Sequence, residues 1–110
     1  MVDIQNLSSF KGGWLVGSFN PNIFKRENIE VGIHELKKGS KGDNHFHKKY
    51  TEYNLIISGL VYEPTIDRVL HKDEMFIYYP NELSKVIFLE DTKLLVIRDG
   101  SDPKDKYYVA

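Results

Sequence analysis

The chain has 110 residues, 41% of them hydrophobic and 13% aromatic, which suits one domain around one modest core. Fifteen basic residues stand against sixteen acidic ones, a net charge of −1, so neither nucleic acid nor a membrane surface is expected as an electrostatic partner. Cysteine is absent, which excludes a disulfide framework, a thiolate nucleophile and a Cys-ligated zinc, and fits a cytoplasmic protein.

The N-terminal stretch MVDIQNLSSFKGGW has no basic region followed by an apolar run, so no secretory signal is expected. Apolar runs are short throughout, far below a membrane span. GWLVGSF reads as a short apolar strand closed by NPN. NPNIFKREN is compatible with one helical turn, because Pro21 follows Asn20, a good capping residue. NIEVGIHELKKG alternates, with Ile29, Val31 and Ile33 on one face and His34 in the opposite phase, as a surface or rim residue. TEYNLIISG is rich in β-branched and aromatic residues and stops at Gly59. LVYEPTIDRVL holds two short apolar pieces around Pro64. EMFIYYP is nearly continuous, the pattern of a strand buried on both faces. KVIFLE and KLLVIRD flank DT, which resembles a tight hairpin turn. Seven or eight short strands with scarce helix signals predict an all-β sandwich or small barrel in a single domain, residues 1–110. Its core is expected over roughly 13–99, with short tails at both ends.

Chemistry concentrates in GSKGDNHFHKKYTEYNLIISG, Gly39 to Gly59. Strand residues two apart point the same way, so His45 and His47 can share a cavity with Phe46 turned to the opposite layer. On the next strand Glu52, Asn54, Ile56 and Ser58 share one face, and Tyr53, Leu55 and Ile57 the other. The first face starts polar and becomes apolar, as a ligand pocket with a polar lip would. Two imidazoles and a carboxylate suit a divalent transition metal (Zn, Mn, Fe or Ni), with His45, His47 and Glu52 as ligands. The same groups suit a base and its orienting partner. No phosphate loop, Ser-His-Asp set or nucleophile elbow is visible.

The spacing of Gly39, His45, His47, Glu52 and Gly59 resembles the first motif of the cupin superfamily at every marked position. The resemblance implies a cupin β-barrel, a double-stranded β-helix or jelly roll, over most of the chain. It implies that the two histidines and the glutamate hold a metal, completed by a third histidine from a second motif. That second motif departs from the family. In HKDEMFIYYPNELSKVIF, Pro80 matches the proline and Asn81 stands for the glycine, a substitution that Asn tolerates through left-handed dihedrals. Ser84 or Lys85, depending on register, takes the place of the histidine. Either His34 or His71 is a candidate replacement, His71 being the more solvent-facing by its KDE turn.

HFHKK also resembles metal-free RmlC-like cupins that isomerise or epimerise sugar nucleotides, and the layout resembles small cupins of surface-polysaccharide gene sets. That likeness implies His47 as base, Tyr78 or Tyr79 as acid, and a carbohydrate or sugar-nucleotide ligand held by His45, Glu52 and Asn54, with Lys85 and Lys48 near a diphosphate. Glu52 or His45 would fix the tautomer of His47. Three readings follow: a carbohydrate isomerase or epimerase, a metal-dependent dioxygenase or isomerase, and a non-catalytic ligand sensor or accessory protein. Trp14, Phe10 and Phe19 are candidates for a homodimer patch or for the monomer core. Tyr107 and Tyr108 either fold back over the barrel or fray.

Overall fold

The computed structural model describes residues 2–41 and 44–109. After two short 3-10 turns, Leu7–Ser9 and Lys11–Gly13, the chain is built from strands. These are β1 (Trp14–Gly17), β2 (Phe24–Lys25), β3 (Glu30–Leu36), β4 (His45–Phe46), β5 (Glu52–Ser58), β6 (Val61–Glu63), β7 (Arg68–Leu70), β8 (Met75–Tyr78), β9 (Ile87–Phe88), β10 (Thr92–Arg98) and β11 (Tyr107–Tyr108). The all-β class expected from the sequence holds. A six-stranded sheet runs β2-β1-β3-β10-β5-β8, a three-stranded sheet runs β7-β6-β9, and β11 pairs with β4.

The core lies between the two larger sheets. Ile56, Phe76, Leu94 and Val96 from one meet Val61, Leu70 and Phe88 from the other, with Val86 beside them. Burial of each such side chain is worth roughly 1.5–3 kcal/mol, which holds the sheets face to face. Towards one end the inner face of the large sheet turns polar: Glu30 and His34 on β3, Glu52 and Asn54 on β5, Arg98 on β10. That polar end is where the site forms.

Four local expectations are corrected. NPNIFKREN forms no helix; Phe24 and Lys25 pair in parallel with Val16 and Gly17 instead. DT is not a hairpin turn. β9 pairs with β6 while β10 lies between β3 and β5, so Asp91 and Thr92 carry the chain from one sheet to the other. Asp91 accepts from the Lys38 amide at 2.8 Å, and Thr92 Oγ1 accepts from the Leu60 amide at 3.3 Å, which anchors the crossing. β8 is not buried on both faces, because it is an edge strand and Met75 is exposed.

On β3 the inward face is the opposite of the expected one. Glu30, Gly32 and His34 point in, while Val31 and Ile33 face out. Gly32 explains the phase: a Cβ there would lie 2.7 Å from the Trp14 ring, so only glycine lets Trp14 pack across it. Gly59 has a comparable constraint, with φ of 108° and Thr92 Oγ1 2.3 Å from where a Cβ would stand. Asn81 takes φ of 72°, the left-handed conformation expected of a residue standing for glycine.

Candidate metal and ligand site

Strand β4 and the turn after it place His45 and His47; β5 places Glu52 and Asn54 beside them. All four are buried. Donor atoms of His45, His47 and Glu52 lie within 4.8 Å of one another. The two imidazoles meet nearly edge to face, with ring centroids 5.1 Å apart.

The His47 ring is held from an unexpected side. Its Nδ1 bonds the backbone carbonyl of Asp105 in a short contact. A carbonyl only accepts, so Nδ1 carries a proton, and in the neutral ring Nε2 keeps its lone pair. Nε2 is buried without a hydrogen bond and lies 3.4 Å from Glu52 Oε2. Neither His45 nor Glu52 fixes the tautomer; Asp105 does. The fully buried Asp105 carboxylate accepts from the amides of Lys48 and Lys49 at 3.0 and 2.9 Å. This locks the segment after β10 against the histidine turn. β11 then pairs Tyr107 with Phe46 and Tyr108 with His45. The residues after 99, outside the expected core, thus form part of the site's wall.

Glu52 is equally constrained. Arg98 Nε donates to Glu52 Oε2 at 2.7 Å, and its Nη1 donates to Glu30 Oε1 at 2.9 Å. Ser101 Oγ closes the chain on Glu30 Oε2 at 2.9 Å. The guanidinium also sits 4.6 Å from the Trp14 ring centroid. Burial alone would raise the Glu52 carboxyl, but the His47 ring, when it carries a proton on Nε2, and Arg98 outweigh it and hold it far below its ordinary range. Arg98 is stabilised as a cation by Glu52 and Glu30 against the opposing effect of burial.

The cavity beside these groups is about 290 Å³. Leu36, Phe76, Val86, Phe88 and Leu94 line its apolar part; His34, His45, Glu52, Asn54, Ser84 and Arg98 line its polar part; Lys41 and Lys106 complete it. His34 is therefore a cavity residue, not a surface or rim residue. It packs edge-on against Trp14 at 4.6 Å between centroids, and its buried Nε2 has no hydrogen-bond partner among the described residues. Burial, then Arg98, lowers its pKa from 6.5 to about 4. His34 was expected only as a candidate replacement for the missing histidine, and Arg98 did not stand out in the sequence as a site residue; the signal for their inward placement was the phase set by Gly32 and by Val96.

Folds of this kind are known. No family model matches the chain, and no curated protein does. Among solved structures, KdgF from Halomonas sp. superimposes with a TM-score of 0.64 at 15% identity, over 70% of this chain and 74% of that one. A protein with a double-stranded β-helix domain from Klebsiella pneumoniae gives 0.66 at 13%, over 76% and 72%. A sugar phosphate isomerase of the cupin superfamily from Silicibacter pomeroyi gives 0.60 at 14%, over 74% and 57%. The chain folds as a small cupin.

In this chain the segment that stands for the second motif settles into the register that offers Ser84. Ser84 is buried, bridges to His45 and donates its amide to the His45 carbonyl at 2.8 Å. Lys85 is exposed and turned to a separate cavity of about 500 Å³ with Tyr78, Glu63 and Arg68. Of the two tyrosines, Tyr78 shares the inner face with Phe76, opposite Glu52, while Tyr79 is exposed. The Tyr78 hydroxyl donates to buried Glu63 in a short bond, and burial with that carboxylate pushes its pKa upward. Lys48 lies out on the Tyr107 ring at 4.1 Å. His71 is exposed and pairs with Glu74 at 3.3 Å. Trp14 packs on the core and under Arg98, and Phe10 is buried, so neither forms an open patch.

The residues fit a metal. Two imidazoles and one carboxylate converge, and the buried Nε2 of His47 faces the gap with its lone pair uncommitted. The Asp105 carbonyl behind His47 and Arg98 behind Glu52 orient these two ligands from the side away from the gap.

Proposed function

We propose that this cupin holds one divalent transition metal through His45, His47 and Glu52 and binds a small, carbohydrate-like molecule in the adjoining cavity. The observation that carries the reading is the convergence of those three donors within 4.8 Å, with the His47 proton committed to Asp105. A metal there would polarise a carbonyl or hydroxyl of the ligand. This chain's residues bind and orient it: Asn54 and Ser84 offer hydrogen bonds, and the apolar wall excludes water. Isomerisation or epimerisation next to a carbonyl is the reaction we assign first, because it needs no oxidant. The likeness to a sugar phosphate isomerase supports it. A metal-dependent dioxygenase and a non-catalytic sensor are the alternatives.

A metal-free reading has one observation in its favour. His47 Nε2 stands 3.4 Å from a carboxylate that Arg98 keeps ionised, an arrangement that stabilises an imidazolium. His47 would then take a proton from the carbon beside a carbonyl and return it to that carbon or its neighbour. The Nε2 lone pair cannot serve both readings at once. The acid that the metal-free reading needs is also poorly supplied, since the Tyr78 proton is engaged by Glu63 and Tyr79 is exposed.

Metal analysis of untagged protein purified without chelator decides between them. Near-stoichiometric metal that is lost in His45→Ala supports the first reading. A protein that neither contains nor takes up a divalent metal overturns it. We also propose a cytoplasmic homodimer. The outer face of the large sheet supports the dimer: Val31, Ile97, Tyr53 and Ile77 form one cross-strand row, and Ile33, Leu95, Leu55 and Met75 form the next. Two such rows are self-complementary under a twofold axis.

A further inference from the structure

β7 is an end strand of the three-stranded sheet and β8 an end strand of the six-stranded one. The cavity of about 500 Å³ lies between these two edges, lined from β7 by Leu70 and from β8 by Met75 and Tyr78. That volume falls within the range of small-molecule sites, roughly 300–1,000 Å³. Ile66 and Leu83 extend its apolar wall.

The most deeply placed charged group of this cavity is Glu63, only 4% exposed. Glu63 ends β6, and a turn over residues 64–67 follows, closed by Asp67 at φ of 48°. The turn brings the Thr65 amide to Glu63 Oε1 at 2.8 Å and places Ile66 on the cavity wall, while Tyr78 donates its hydroxyl to Oε2. Both donors are uncharged. Among the described residues no cation pairs with Glu63. Arg68, its cross-strand neighbour, is bonded to Glu74 at 2.7 Å, and Lys85 is exposed. The other two carboxylates of the cavity have backbone donors as well: Glu74 takes the His71 amide and Glu82 the Tyr79 amide.

A glutamate this buried is rarely without a cationic partner, because an unpaired charge away from water is costly. Its two donors use two of the roughly four acceptor positions of a carboxylate. A ligand that brings a positive charge supplies what the neutral donors lack, and an ammonium is compact enough to reach so buried a group.

We propose that the cavity between β7 and β8 is a second binding site, which takes a small primary amine with an apolar body. The ammonium bonds Glu63 beside the Tyr78 hydroxyl, and the apolar body lies against Ile66, Leu70, Met75 and Leu83. Nothing in this depends on the metal reading.

The test is a titration of chelator-treated protein with 2-phenylethylamine and with its neutral counterpart 2-phenylethanol, followed by amide proton–nitrogen NMR. The amine is expected to bind about tenfold tighter than the alcohol, and to shift the amides of Thr65, Ile66, Leu70 and Met75. Glu63→Gln should bring the two ligands to equal affinity. Ile66→Lys puts a like charge on the wall at a residue 59% exposed, where the fold tolerates it; amine affinity should fall several-fold and alcohol affinity should hold. It keeps the proposal testable if Glu63→Gln does not fold. Equal affinity of amine and alcohol in the wild type, shifts gathered around His45 and Glu52 instead, or no binding at millimolar concentration overturns the proposal. So does a folded Glu63→Gln that keeps the tenfold preference, or an Ile66→Lys that keeps full amine affinity.

Discussion

His34 should make the protein acid-sensitive in a way that one substitution removes. The ring is packed edge-on against Trp14 with Arg98 beyond it, and Nε2 has no hydrogen-bond partner among the described residues. Charging it would put a cation into an apolar contact close to a guanidinium, so burial first and Arg98 second lower its pKa from 6.5 to about 4. The sign follows from proton counts. Between those two values the unfolded chain binds a proton at this position and the folded chain does not, so stability falls as pH drops through 6.5 and levels off below about 4. At about 1.4 kcal/mol per pH unit, the gap from 6.5 to about 4 is worth about 3 kcal/mol at full effect. The assay is urea denaturation of wild type and His34→Gln at a series of pH values from neutral to pH 4. Glutamine is neutral throughout and similar in size, so the difference between the two curves cancels every other titrating group. At neutral pH that difference reports packing alone. On acidification it should move by about 3 kcal/mol in favour of the variant. A difference that stays flat, or moves in favour of wild type, would refute the reasoning. It would mean that His34 is charged in the folded protein, paired with Glu52.

Asp105→Ala removes a fully buried carboxylate that accepts two backbone amides. We expect a loss of about 2–3 kcal/mol in denaturant titrations, with metal uptake weakened roughly 10-fold or more because the His47 turn loosens. Tyr78→Phe should cost about 1–3 kcal/mol by leaving Glu63 short of a donor, with metal binding unchanged. Lost turnover at unchanged metal content and stability would instead make Tyr78 the acid. Leu55→Glu places a charge within the second of the two outer apolar rows. Light scattering should then report a monomer where wild type is a dimer, while near-ultraviolet circular dichroism stays native. A dimer that survives the substitution locates the interface elsewhere.

The motif around His45, His47 and Glu52 was legible because it is local. Period-two alternation and spacing alone put those side chains on one wall, and the three donors do converge. The strands were legible for the same reason. Failures occurred where pairing is long-range. Asp91 and Thr92 look like a hairpin turn on any short window; only the pairing of β9 with β6 reveals a crossing. The phase of β3 was misjudged because apolar Val31 and Ile33 face outward while Glu30 and His34 face in. An inward glutamate on an apolar strand reads as surface until its counter-ion is known, and Arg98 lies 68 residues away. Asp105 was invisible for a stronger reason. Its contact with His47 uses the backbone carbonyl, an atom every residue has, so no residue type signals it.

These long-range groups change what the local motif means. Taken alone, the motif offers two imidazoles and a free carboxylate, equally suited to a metal or to acid–base work. In the folded chain the carboxylate is shared with Arg98, which withdraws part of its charge from any metal, and the His47 tautomer is fixed by Asp105, which leaves Nε2 its lone pair. The first weakens a metal site and the second strengthens it. Arg98→Met separates the two contributions. If Arg98 only drains charge from Glu52, the variant should bind zinc more tightly at neutral pH. If Arg98 chiefly holds Glu52 in position between β5 and β3, zinc affinity should fall instead, because Glu30 and Glu52 are left facing each other as like charges. We expect the fall. Glu30 is buried, and with Arg98 gone its remaining side-chain donor is Ser101. Tighter zinc binding in Arg98→Met would show that the ion pair opposes the metal, and that the cavity is built to work without one.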